Sequence, residues 1–198
     1  MKNAIKVIVL SVFVTSLFVS CAKQPTQEID AAKAAIEAAV KEGANTYAAE
    51  ELKAINDQLT AATDEINTQS KKFFKKYGPA KEMLAKIVAD ADALKATIPG
   101  KKEAAKNAAL AAQQEAQAAI AEAKTLLEKA PKGKGTKADI EAMKADLKGL
   151  EDSFPQIQTA IDQEDYFGAS NTAATIKEKA VAIADQVKAA IEKVKGKI

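Results

Sequence analysis

Cys21 is the only cysteine among the 198 residues of this chain. A thiol becomes a strong nucleophile once ionised, and a secreted chain seldom carries one cysteine without a second to pair it. Two other clusters could do chemistry. The stretch Ser70–Tyr77 sets Lys71, Lys72, Lys75 and Lys76 around Phe73, Phe74 and Tyr77. Such a segment could touch anionic lipid headgroups or an anionic polymer, with the aromatic rings entering an interface. The more ordinary reading, preferred at this point, has Phe73 and Tyr77 plugging the end of a helical bundle while the lysines snorkel outward. Asp162, Glu164 and Asp165, with Glu151 and Asp152 before them, are the second cluster. Oxygen-rich sets can bind calcium, but no Asp-x-Asp-x-Asp-Gly loop is present, and acids beside a helix start are expected to act as caps.

The missing residue types narrow the function further. There is no histidine and no tryptophan, and every basic residue is lysine. The usual imidazole base and the His/Cys ligands of zinc are therefore absent. Paired carboxylates could in principle cleave glycosidic bonds, yet nothing in the sequence supplies an aromatic-lined cleft. No enzyme, no metal and no cofactor is expected. Without arginine, bidentate recognition of phosphates or base edges is disfavoured, so no nucleic-acid partner is expected either.

The surroundings of Cys21 define its chemistry. Lys2 and Lys6 precede a mostly apolar run, Val7 to Val19. That run is short for a membrane span, which needs about 20 apolar residues, and suits the core of a secretion signal. Residues 1–20 are read as a signal peptide. Leu17-Phe18-Val19-Ser20-Cys21 resembles a bacterial lipobox, with Phe18 where an aliphatic residue is usual. In such a motif the thiol takes a diacylglyceryl group, cleavage falls before the cysteine, and the new amine is acylated. Without Lys2 and Lys6 the remaining 27 lysines balance 27 acidic residues, so the mature chain is formally neutral.

The rest of the chain must position these groups. Residues 21–28 read as a lipidated polar tether. Beyond them the chain is rich in Ala, Lys, Glu, Gln and Leu, the strong helix formers, and no period-two alternation marks a strand. Apolar spacing separates about six helices. The first carries Ile29 to Ala39 and stops at Gly43. The second carries Leu52, Ile55, Leu59, Ala62, Ile66 and Phe73, with Tyr47 placed to staple onto Leu52. The third carries Ala80 to Ile98 and ends at Pro99-Gly100. The fourth has an alanine seam, Ala105, Ala109, Ala112, Ala116, Ala119, Ala123, Leu126 and Ala130, closed by the Gly- and Lys-rich loop 131–135. The fifth runs from Ile140 to Ile161 with a kink at Pro155, and the sixth from Ala169 to Val194. The expected fold is all-α: an elongated antiparallel helical bundle of coiled-coil hairpins. Its expected division is an N-terminal bundle region, 29–131, and a C-terminal hairpin, 132–198. An internal repeat is visible. Tyr77, Ala80, Ala85 and Ile87 recur 89 residues later as Tyr166, Ala169, Ala174 and Ile176, and Leu52, Ile55 and Leu59 recur 88 residues later as Ile140, Met143 and Leu147.

Gly43-Ala44-Asn45-Thr46-Tyr47-Ala48-Ala49-Glu50-Glu51-Leu52, following the lipobox cysteine and an alanine-rich helix, is similar to the Gly-Ala-x-x-Tyr-Ala-Pro-x-x-Leu motif of an uncharacterised family of helical Gram-negative envelope lipoproteins. Ala49 stands where that family has proline. The resemblance covers about residues 21–95 and implies an envelope lipoprotein without assigning an activity. It also implies a place to look for an inner-membrane retention aspartate, where this chain has Ala22 and Lys23. The expectation is thus an outer-membrane lipoprotein facing the periplasm, held by its N-terminal lipid, with a structural or protein-binding role and a protein partner in the envelope. The competing expectation is a periplasmic module that holds a lipid or anionic polymer between its helices.

Overall fold

The computed structural model describes residues 23–130 and 137–195. Residues 1–22, which include Cys21 and the stretch read as a signal peptide, and residues 131–136 and 196–198 lie outside the described residues. All the regular structure among the described residues is helical. The helices are α1 (Thr26–Lys41), the single turn α2 (Ala44–Tyr47), α3 (Ala49–Ser70), α4 (Gly78–Glu128), α5 (Lys137–Ser153), α6 (Pro155–Asp162) and α7 (Tyr166–Lys195). The polar tether is shorter than the sequence suggested, because α1 already starts at Thr26 and Pro25 is buried at its foot.

The helix expected to end at Pro99-Gly100 and the one expected to follow it are a single helix, α4, with Pro99 inside it. Pro99 has no N–H to donate to the carbonyl four residues earlier, at a cost of about 3 kcal/mol in a helix interior. Strong helix formers on both sides offset this, and Lys101, just beyond the proline, is ion-paired to Glu51 at the start of α3. At Pro155 the helix is divided into α5 and α6, with Phe154 between them in helical dihedrals (φ −57°, ψ −39°).

The chain divides into two compact units at Lys101/Lys102, not at the 131/132 boundary expected from the loop. The alanine seam is the reason, because its polar neighbours bond to the C-terminal helices. Lys124 pairs with Glu151 (2.9 Å), Lys177 with Glu115 (2.8 Å) and Lys188 with Glu122 (2.9 Å), and Gln113 donates to Gln158 (3.1 Å). On the seam Ala109, Ala116, Ala119, Ala123 and Ala130 are buried, while Ala112 is half-buried. Exposed ion pairs of this kind add little stability, but they report which helices adjoin.

In the first unit α1 and α3 pack on each other. Glu28 near the start of α1 meets Lys81 near the start of α4 (2.6 Å), while the start of α3 meets α4 at Lys101. Hence α4 runs parallel to α1 and antiparallel to α3. The second unit has the same layout. The part of α4 from Lys102 runs antiparallel to α5–α6, through Lys102–Glu164 (2.5 Å) and Lys124–Glu151, and parallel to α7, through Glu115–Lys177 and Glu122–Lys188.

The repeat extends to the core. Tyr77, Ala80, Leu84, Ile87, Ala91, Leu94 and Ile98 are buried, and so are Tyr166, Ala169, Ala173, Ile176, Ala180, Ile183 and Val187, each 89 residues on. Ala32, Ile36 and Ala39 of α1 correspond to the buried Ala123, Leu127 and Ala130, here 91 residues on. Each unit is therefore one three-helix solution of the same burial pattern, which makes chance similarity between alanine-rich helices a poor explanation.

The Gly43–Leu52 motif forms the turn between α1 and α3. Gly43 has φ +108°, a left-handed conformation that glycine adopts at little cost. Ala44 and Ala48 are buried, and a β-carbon at position 43 would lie 3.2 Å from the Tyr47 ring. Ala49 is the first residue of α3, a position where proline is common.

Candidate functional site

The basic-aromatic segment forms the connection between α3 and α4. Seven residues, 71–77, lie between Ser70 and Gly78, whereas the corresponding connection in the second unit uses three, 163–165. That short turn is closed locally. Glu164 takes the left-handed conformation (φ 61°), and Asp165 caps α7 by accepting the Gly168 N–H (2.9 Å). A three-residue turn therefore suffices to join these helices, and the longer loop of the first unit carries residues that the hairpin does not need.

Two contacts hold the base of that loop. Tyr77 is fully buried, as its repeat partner Tyr166 is nearly so. Gln69, the buried polar side chain of α3, accepts the Lys76 backbone N–H on Oε1 (3.3 Å) and donates through Nε2 to Glu65 (2.7 Å). Between these holds the chain projects into water. Phe73 is 92% exposed and Phe74 78% exposed, their rings edge to face with centroids 5.0 Å apart. Lys71, Lys72, Lys75 and Lys76 are all exposed. Tyr77 plugs the end of the unit as expected, but Phe73 does not. Its expected place on the α3 seam is lost because α3 stops at Ser70, while in the second unit the helical course continues and Ile161 is buried.

The charge of the loop is also unbalanced. Elsewhere Lys53, Lys81, Lys86, Lys124, Lys148, Lys177 and Lys188 are paired with carboxylates. Among the described residues no carboxylate pairs with any of the four loop lysines. The loop shares an end of the first unit with the start of α1, as the Glu28–Lys81 pair records. The Lys81 ammonium, bonded to the Glu28 side chain, holds that carboxyl below its ordinary range.

The acidic cluster is dispersed into separate structural roles. Asp162 accepts from Gln158 (2.8 Å), Glu164 pairs with Lys102, Asp165 is the cap, Glu151 pairs with Lys124 and Asp152 with Lys148 (2.9 Å). No three metal-ligating side chains come together among the described residues. The sequence reading missed Gln69, because a glutamine three residues after Ile66 looks like an ordinary polar position on a helix.

Three surface furrows run between the helices of the second unit, of about 540, 430 and 410 Å³. Small side chains leave them open: Ala145, Gly149 and Ala182 line the largest, Ala112 and Ala174 the next. Asp146, Ser153, Lys179 and Gln186 also border the largest. The next is crossed by the Glu115–Lys177 pair and has exposed Val181 on its edge. Compared with protein-family models, curated proteins and solved structures, the chain matches none.

Proposed function

We propose that this chain is a lipoprotein of the cell envelope, fastened to the outer membrane through acylated Cys21 and facing the periplasm, whose helical units serve a structural or protein-binding role rather than catalysis. The observation that carries this reading is the sequence around Cys21: two lysines, a short apolar run and a small residue lead to the chain's single cysteine. The described helices are consistent with it. None of them is long and apolar enough to cross a membrane, and α1 begins only five residues after Cys21, so attachment at that residue would leave the units outside the bilayer. The resemblance of residues 43–52 to envelope lipoproteins adds to the case.

The furrows bear on the competing role, in which an apolar ligand lies between helices. The largest is big enough, since ligand pockets begin at about 300 Å³. It is open to water, and Asp146, Ser153, Lys179 and Gln186 border it alongside the buried Leu150 and Ile183. That favours contact with another protein over enclosure of a lipid. A photo-crosslinking residue placed at Val181 in intact envelopes tests the role, with the same probe at exposed Lys53 as control. The expected result is a discrete protein adduct from Val181 alone. Lipid adducts without any protein adduct would favour the ligand-holding role.

A further inference from the structure

From the geometry of the α3–α4 loop we infer that Phe73 and Phe74, framed by Lys71, Lys72, Lys75 and Lys76, dock on an anionic phospholipid surface and orient the first unit on the membrane that holds the lipid anchor. The inference rests on the lipoprotein reading for the nearness of the bilayer, and on the loop itself for the contact.

Three observations converge. The first is placement. Four residues separate Cys21 from Thr26, a covalent reach of at most about 18 Å at full extension. The start of α1 is joined to the start of α4 by the Glu28–Lys81 pair, and α4 begins where the loop ends. The start of α1 and the loop therefore belong to the same end of the unit, and the covalent chain limits how far Cys21 can lie from that end. The second is chemistry. Two adjacent exposed phenylalanines offer apolar area that inserts at the boundary of headgroups and acyl chains, and the exposed lysines around them, which pair with no carboxylate among the described residues, attract anionic headgroups. The third is the comparison the repeat provides. The second unit joins the same two helices with a three-residue turn, and there the connection is acidic: Glu164 and Asp165. Folding thus accounts for Tyr77 and Gln69 but not for the exposed aromatic pair.

The chain contains no tryptophan, so Phe74→Trp supplies a single reporter at a site too exposed to disturb packing. The acylated full chain carrying it would be reconstituted into protein-free vesicles of phosphatidylethanolamine and phosphatidylglycerol, and into phosphatidylcholine vesicles. The expected result is a blue-shifted emission in the first, quenched by lipids brominated near the glycerol end of their chains. The shift is expected to weaken in phosphatidylcholine and to be lost when Lys71, Lys72, Lys75 and Lys76 are all changed to Glu. Circular dichroism of each variant confirms its fold. Acylation is read separately, from the mass of the same protein. An acylated, vesicle-bound protein with water-like emission overturns the docking inference and leaves the anchor intact. A shifted emission in protein without acyl chains supports the loop contact while removing the anchor. A shift found in native envelopes but absent from protein-free vesicles assigns the loop to a protein partner and overturns the inference.

Discussion

Changing Tyr77 to alanine is expected to destabilise the first unit by about 3–5 kcal/mol, the usual cost of truncating a buried aromatic ring, while Phe73→Ala and Phe74→Ala shift stability by less than about 0.5 kcal/mol. The three residues lie within five positions of one another and have the same aromatic character. They differ in burial: Tyr77 is 2% exposed, Phe73 92% and Phe74 78%. Removing the Tyr77 ring leaves a cavity at the end of the unit where α3 hands over to α4, in the core that also holds the buried Ile66 and Ala80. Removing either phenylalanine takes away a ring already in water. Urea unfolding followed by circular dichroism measures the difference. Similar mild effects for all three would place Tyr77 at the surface and undo the account of the loop base.

The second large effect concerns the alanine seam of α4. Ala116 is fully buried, one turn from buried Ala119 and Ile120, so Ala116→Leu forces three extra carbons into a close helix–helix approach. Overpacking of that kind typically costs about 1–3 kcal/mol. Ala121 is exposed on the same helix, and Ala121→Leu is expected to change little, because alanine and leucine are both strong helix formers. Propensity is thereby held nearly constant between the two variants. Thermal unfolding separates them. Equal midpoints would mean that α4 does not pack there, and a higher midpoint for Ala116→Leu would mean that the seam has spare room for a ligand or partner helix.

The seams themselves were legible in the sequence. Apolar residues at steps of three and four located every major helix, and the recurrence of Tyr77 as Tyr166 announced that two similar units exist. Pro99-Gly100 was legible as a boundary but not as the right kind. It marks where one unit gives way to the next, and the helix runs on because packing on either side outweighs one lost hydrogen bond. Phe73 was misplaced for a related reason. Its spacing from Ile66 continues the α3 seam, and spacing alone does not show that the helix ends at Ser70. The base of the exposed loop rests on a contact that helical spacing does not encode, the Lys76 amide bonded to Gln69 seven residues before it. The acidic turn went the other way: the sequence suggested capping, and Asp165 caps α7.

Everything proposed about location depends on one covalent event at Cys21. The most direct measurement is labelled palmitate incorporation, with the intact mass of the membrane-extracted protein, for the unaltered chain and for Cys21→Ala. The account predicts a labelled chain that begins at Cys21 and carries the mass of its acyl groups, and a Cys21→Ala chain with no label that is either left uncleaved or released in soluble form. Equal labelling of the two, or an unlabelled chain cleaved elsewhere, would contradict it.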